Sequence, residues 1–439
     1  MSSRWLRLGT FLSVGGENMA GWRHPEVHFP SRARFSDYLD ATRLAEAAMF
    51  DLVLVADVAP SSRDPIEVLS RYAGYDRLEP LTLLSALAVT TESIGLVATA
   101  STTYNEPFHI ARKFASIDHL SQGRVGWNIV TTMTDTDALN FSREAHAAHL
   151  DRYARAEEFV DVVRGLWHCF DPEAFLRDKQ SGRYFNPEGL RVLNHKGPHF
   201  AVRGPLDVIP APQVEPVLVQ AGSSGPGIGL GARVADIIFS TQQSPAAGRA
   251  FCADIRAKAQ SFGRRPEDLV VLMALIPVVG ETVDEARAKF DAIQALIDPI
   301  LALPQLRGYL GGVDLAGYAL DEPLPDDLPP GDGVQITSRR GPILELARRE
   351  GLTLRQLAQR IAGTRGHRTV IGTASSIADD LEEWFTTGAA DGFLLVPPIL
   401  PGSLEDFASS VVPELQRRGL VRSRRDGGTL RESLGLPAR

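Results

Sequence analysis

Apolar residues follow two rhythms along this chain. One is the short, nearly continuous run of a strand buried on both faces. The other is the longer segment with apolar residues three and four apart, as on one side of a helix. Segments 6–13, 50–56, 94–102, 124–132, 216–221, 237–241, 269–279 and 392–396 carry the first rhythm and predict strands. Segments 35–50, 81–90, 107–120, 151–167, 227–235, 246–262, 283–301, 342–362, 376–387 and 404–417 carry the second and predict helices. In 151–167, Tyr153, Ala156, Phe159, Val163 and Leu166 share one face. Pro107 stands at the start of its helix, where the missing N–H is unbonded in any case.

Eight strands, each followed by helix, predict a parallel α/β sheet, and closure into a (β/α)8 TIM barrel is the usual solution at that number. A doubly wound open sheet is the alternative. Two polar stretches interrupt the alternation. Segment 171–214 is rich in Pro, Gly and Arg, and 304–341 contains Pro323, Pro325, Pro329 and Pro330. Both are too long for simple connections and predict loop insertions. The whole chain, 1–439, reads as one barrel domain with insertions, and the polar tail 423–439 as a surface strap or an interface arm.

Composition narrows the class. With 44% hydrophobic and 23% charged residues the chain can bury a large core. A formal net charge of −8 without a long basic run argues against nucleic-acid binding. The two cysteines, Cys169 and Cys252, stand far apart and imply no disulfide framework, which fits a reducing cytoplasm. The apolar stretch 8–14, flanked by Arg4 and Arg7, is broken by Gly9, Thr10 and Ser13 and reads as a first strand rather than a leader. No apolar run approaches the roughly 20 residues of a membrane span; the longest, 270–279, reads as a buried strand.

In such a barrel the chemistry sits at the C-terminal ends of the strands. Those ends carry Ser13, Asp57, Ser101-Thr102-Thr103-Tyr104-Asn105, Asn128 to Thr132, Gly222-Ser223-Ser224, Thr241 and Val396-Pro397-Pro398. Small neutral donors and acceptors suit a flat polar cofactor better than hydrolysis, and no nucleophile elbow is present. The turn 220–227 follows an apolar strand and opens a helix. Its glycines allow close backbone approach, its hydroxyls donate, and the helix N-terminus favours an anion, so it predicts a phosphate site. The adjacent Gly227-Ile228-Gly229-Leu230-Gly231-Ala232 matches a dinucleotide fingerprint only formally. It lies inside the helix, and no acid follows about 20 residues on to take a ribose. Asp57 ends a strand otherwise wholly apolar and predicts a cofactor contact or a base, with a helix cap or surface ion pair as the plain alternative. His146 and His149, with Asp151 nearby, make only a weak metal cluster that needs a third ligand, and they predict helix N-terminal residues or cofactor contacts. Trp127, Trp167, Trp384, Phe159 and Phe407 predict core.

Several motifs now combine. Segments 101–112 (Ser-Thr-Thr-Tyr-Asn-Glu-Pro-Phe-His-Ile-Ala-Arg) and 118–132, Arg152-Tyr153 with Ala156 to Phe159, the 220–227 turn and Ala389 to Phe393 resemble the nitrilotriacetate monooxygenase family, a branch of the luciferase-like flavin monooxygenases. The resemblance implies a two-component system. A separate NAD(P)H:flavin oxidoreductase supplies reduced FMN as a diffusible substrate, and dioxygen then oxygenates a small organic molecule. It also implies Asp57 and Thr103 at the flavin ring, Asn128, Val130 and Thr131 at ring and ribityl chain, His149 and Tyr153 near the phosphate, and Gly222, Ser223 and Ser224 at the phosphate itself. A homodimer or tetramer is expected. The chain departs from the family after the first strand, where Glu17 and Asn18 replace the usual imidazole, and at Val396-Pro397-Pro398, where Asn and Met are commoner. Among possible proton carriers, His24, His109 and His149 are the candidates. A deazaflavin-dependent oxidoreductase on the same barrel, or a non-catalytic flavin-binding subunit, are the alternatives.

Overall fold

The computed structural model describes residues 5–27, 34–57, 66–71, 73–132, 135–145, 147–221, 225–331, 340–425 and 427–439. Strands β1 (Arg7–Phe11), β2 (Leu52–Val55), β3 (Gly95–Ser101), β4 (Val125–Val130), β5 (Val217–Ala221), β6 (Ile237–Ser240), β7 (Val270–Val279), β8 (Arg368–Gly372) and β9 (Gly392–Leu395) form one parallel sheet. It closes because β9 pairs with both β7 and β1 while β7 also pairs with β6. The eight predicted strands are thus the eight staves of a closed barrel, and the open doubly wound alternative is excluded.

β8 is an addition that the apolar pattern did not announce. Leu275 of β7 registers with both Arg368 and Leu395, so β8 and β9 lie on opposite edges of β7. Met273 registers with Ser240 and Phe393. β6 and β8 therefore share one edge of β7, end to end. The reason is length. β7 outruns β6, and its free N–H and C=O groups need partners. Arg368-Thr369-Val370-Ile371-Gly372 supplies them although Thr369, Val370 and Ile371 are only half-buried.

Each stave divides its residues between two cores by alternation. Val53, Leu96, Ala98, Trp127, Ile129, Leu218, Ile238, Met273, Phe393 and their like face outward into the helix layer. Leu52, Leu54, Val97, Val219, Ile237, Leu272 and Leu394 fill the interior. The five aromatic residues expected in the core all join the outer cluster. The helix layer comprises α1 (Phe35–Ala47), α2 (Pro80–Ala88), α3 (Pro107–Leu120), α4 (His149–Trp167), α5 (Gly225–Val234), α6 (Pro245–Ser261) and α7 (Val283–Ala295), followed by α8 (Pro299–Tyr309), α9 (Arg340–Glu350), α10 (Leu354–Thr364) and α11 (Ala374–Thr386).

Two long predicted helices are each broken in two. The 283–301 segment stops at Ala295 and restarts behind Asp298, whose side chain caps Ile300 N–H ahead of Pro299. A proline ring excludes the helical conformation from the residue before it. The 342–362 segment breaks at Gly351 (φ +61°), and Thr353 and Gln356 form a capping box for the next helix. Part of the predicted 304–341 loop is also helix, since α8 runs through Pro304 to Tyr309. Together α8, α9 and α10 build a second core of their own, with Leu301, Leu306, Ile343, Leu357 and Ile361, joined by Met19 and Ala20 from the β1 loop. The 171–214 insertion is largely irregular. Its one small hairpin, His195–Lys196 with Ala201–Val202, is held on α4 by Glu158, which accepts from His199 and Phe200 N–H and pairs with His195 at 2.8 Å.

The tail is neither a loose strap nor a free arm. Leu430, Leu434 and Leu436 join the interior cluster and close the N-terminal mouth of the barrel. Gly95 makes room for them, because a Cβ there would lie 2.4 Å from a Leu430 methyl. Among the described residues no helix is long and apolar enough to cross a membrane.

Candidate active site at the C-terminal mouth of the barrel

Alternation turns Thr99 and Ser101 of β3 and Asn128 and Val130 of β4 toward the barrel axis, the opposite side from Trp127 and Ile129. Asn128 Nδ2 donates to Thr99 Oγ1 at 2.8 Å. Asn128 Oδ1 is buried with no partner among the described residues. On another side of the interior Phe11 and Phe239 meet edge to face at 5.9 Å. The upper barrel therefore has a polar wall on β3 and β4 and an aromatic wall on β1 and β6.

Above the polar wall a hydroxyl network ties the two strand ends. Ser101 Oγ and Thr132 Oγ1 are 2.6 Å apart, Thr132 N–H donates to Thr103 Oγ1, and Thr103 N–H donates to Ser101 Oγ. Arg155 of α4 reaches over and donates to the carbonyls of Thr102 and Asn105, its guanidinium 4.5 Å from the Phe200 ring centroid. Nothing in the sequence pattern singled out Arg155. It was one charged residue on a helix, and only packing shows that it clamps the β3 loop.

The β1 loop closes another side. Gly16 has φ +95°, and a Cβ on it would stand 2.4 Å from Pro398 O. Glu17 and Asn18 N–H donate to the carbonyls of Pro397 and Pro398. The buried Glu17 carboxylate pairs with Arg365, at the end of α10, at 3.0 Å. Burial alone would raise Glu17, but Arg365, aided by Arg77, holds it below the usual carboxylate range. Asn18 Nδ2 donates to Gly363 O. The two stretches where the sequence departs from its family pattern thus touch each other and the second core.

A cavity of about 360 Å³ opens between the ends of β5 and β6 and helices α9 and α10. Its walls include Ala221, Phe239, Thr241, Gln243, Arg360 and His367. Thr241 Oγ1 and His367 Nδ1 are 2.9 Å apart, and Gln243 Nε2 donates to Gly366 O.

The pattern of the luciferase-like monooxygenases matches residues 10–391. Nitrilotriacetate monooxygenase component A of Aminobacter aminovorans is 46% identical over 99% of this chain and 97% of its own. This chain belongs to the luciferase-like monooxygenase family. N-acetyl-S-(2-succino)cysteine monooxygenase of Bacillus subtilis (strain 168) is 45% identical over 98% of this chain and 96% of that protein. The solved structure of a riboflavin lyase with modified FMN and riboflavin superposes with a TM-score of 0.83 at 32% identity, covering 99% of this chain and 96% of that one. The protein is accordingly a flavin-dependent monooxygenase.

Within this monooxygenase the sequence-derived candidates fall into three groups. Thr103, Asn128, Val130 and Thr131 come together at the ends of β3 and β4. Tyr153 stands on α4, half-buried against the outer core. Asp57 is exposed just beyond β2. Partial loss of hydration, its largest influence, raises its carboxyl; Glu79 adds to this and Arg77 opposes it. Gly222, Ser223, Ser224 and His146 lie outside the described residues, as does the His149 side chain. Ala221 and α5 flank residues 222–224. The histidine candidates are less central. His24 is half-buried in the β1 loop, where its Nδ1 accepts a long, 3.4 Å hydrogen bond from Glu26 N–H. His109 is exposed on α3 beside Phe108. Neither lines the cavity.

The residues present fit a flavin. Asn128 Oδ1 is a buried acceptor awaiting a donor, Ser101 and Thr103 are hydroxyls, and Phe11 and Phe239 offer apolar surface to a ring.

Proposed function

We propose that this chain is the oxygenating component of a two-component system that takes reduced FMN from a separate NAD(P)H:flavin oxidoreductase and inserts one atom of dioxygen into a small organic substrate. The observation that carries the reading is the unpartnered Asn128 acceptor on a polar wall inside the barrel mouth. A buried carbonyl oxygen without a donor costs about 1–3 kcal/mol, and a ligand N–H or O–H removes that cost. When bound, reduced FMN supplies the two electrons with which dioxygen is divided between product and water.

The chain's own residues bind, orient and exclude water. Asn128, Thr103, Val130, Thr131 and Asp57 hold the ring and ribityl side. Tyr153, His149 and the Gly222-Ser223-Ser224 turn with the α5 N-terminus hold the phosphate. The second core of α8 to α10, tied down through Glu17 and Arg365, covers the mouth and keeps bulk water from the reacting oxygen. His24 and His109 are the candidate proton carriers, and neither borders the cavity. A cytoplasmic homodimer or tetramer is what the family resemblance implies, and the tail packed under β3 supports a single domain from 1 to 439.

Anaerobic titration with oxidised and reduced FMN tests the reading. Reduced FMN binds the wild-type chain, the Ser223→Ala/Ser224→Ala variant weakens it at least about tenfold, and oxygenation requires an added reductase. If neither redox state of FMN binds the folded chain while a reduced deazaflavin supports turnover, the hydride-transfer alternative replaces this one. Binding without any substrate oxidation would make the chain a non-catalytic flavin subunit.

A further inference from the structure

Arg360 lies half-buried on α10, on a wall of the 360 Å³ cavity. A guanidinium carries a permanent charge and five N–H donors in a fixed fork. Among the described residues none of these donors makes a hydrogen bond. The group stacks 4.9 Å from the Phe290 ring centroid, and its ion pair is a long one, 3.8 Å to Glu350. Glu350 is exposed and is shared with Arg349 at 3.2 Å. Arg287, Asp291 and Arg349 also act on it. Because Glu350 is shared with Arg349, Arg360 has no short ion pair of its own among the described residues. Arg368, also on the wall, is already matched by Asp380 through two 2.8 Å contacts. Arg360 lines the cavity, and none of its nitrogens is among the fully buried unpartnered atoms.

A half-buried, weakly paired fork of this kind is complementary to a planar carboxylate, which it can take through two parallel hydrogen bonds. The flavin phosphate is predicted after β5, beyond Ala221 on the cavity's β5 side, whereas Arg360 stands on the wall built by α10. Thr241 and Gln243 line the same cavity and add neutral hydrogen-bonding capacity.

We infer that the cavity receives the substrate and that Arg360 binds a carboxylate of it, so that this monooxygenase acts on small organic acids rather than on neutral molecules. The inference rests on the monooxygenase reading above and names the substrate class of that site.

The test uses the full chain, with and without FMN, and calorimetric titration with iminodiacetate, thiodiacetate and tricarballylate, their methyl esters serving as neutral controls. At least one acid binds with a Kd of about 1 mM or tighter, and the esters do not bind. Arg360→Gln weakens that acid about tenfold or more, and Arg360→Lys, which keeps the charge but not the fork, weakens it by less than Arg360→Gln does. Melting curves confirm that both variants fold, and FMN affinity is unchanged in Arg360→Gln. Equal binding of acids and esters, no binding of any acid, or equal acid binding by Arg360→Gln overturns the inference. So does a loss of FMN but not riboflavin affinity in Arg360→Gln, since Arg360 would then serve the flavin phosphate. If FMN fails to bind even the wild-type chain, the flavin reading falls, while the FMN-free titrations still decide the carboxylate site.

Discussion

A buried amide oxygen without a donor destabilises the chain that carries it, and a ligand that supplies a donor removes that cost. Asn128 is in that position, with its Nδ2 satisfied by Thr99 and its Oδ1 unsatisfied. Asn128→Ala is therefore expected to leave the melting temperature of the FMN-free protein unchanged or slightly raised, and to weaken reduced FMN by about tenfold, the worth of one good hydrogen bond. A large drop in the FMN-free melting temperature, with FMN binding intact, would make Asn128 a structural residue only. The sequence showed a polar residue in an apolar strand. Which of its atoms lacked a partner depended on Thr99, 29 positions away in the chain.

Among elements, the tail illustrates how a polar stretch can be misread. Its leucines are too few and too widely spaced among Arg, Gly and Ser to signal a core helix, so two surface roles were expected. In the fold, Leu430, Leu434 and Leu436 seal the barrel bottom, and Arg431 pairs with the buried Asp236 at 2.7 Å while Asp236 caps the Leu218 N–H. Burying each leucine contributes roughly 1.5–3 kcal/mol, and stranding Asp236 would cost about 3–5 kcal/mol. A chain ending at residue 422 is expected to be insoluble or to lose its cooperative melt, and Arg431→Ala to lower the melting temperature by several degrees. A truncated chain that melts like the full one would show the plug to be dispensable. The broken helices teach the converse lesson. Asp298-Pro299 and Gly351 with Thr353 were legible as stop and start signals, but apolar periodicity running across them favoured continuous helices.

At the scale of the molecule, distant segments meet in one buried ion network under the barrel. Glu215, just before β5, accepts from Arg164 and pairs with His168 of the α4 end and with Arg439 at the C-terminus. Burial alone would raise its carboxyl, but the His168 hydrogen bond, Arg164 and Arg439 together bring it from 4.5 down to about 2. A carboxyl with a depressed folded value stabilises the protein above its unfolded value, and that contribution is lost as pH falls through the folded one. Glu215 should therefore contribute up to about 3 kcal/mol above pH of about 4.5, fading between about 5 and 2. Denaturant titrations across that range should show a steep acid limb in the wild type and a flatter one in Glu215→Gln, which is also less stable at neutral pH. Parallel limbs would assign the acid sensitivity elsewhere.

The sequence by itself determined the architecture and pointed to where the chemistry is to be sought. Eight apolar runs alternating with helices leave few ways to bury every strand on both faces, and small polar residues after those runs mark the mouth. Local pattern suffices there because burial imposes a period on neighbours in the chain. Tertiary structure alone decided that β8 completes the long edge of β7, that the tail is a plug, that Glu17 and Pro397 touch, and that Arg155 donates hydrogen bonds while Arg360, among the described residues, makes none. Each depends on which charge or backbone group lies opposite across space. Residues hundreds of positions apart settle that, and no periodicity records it.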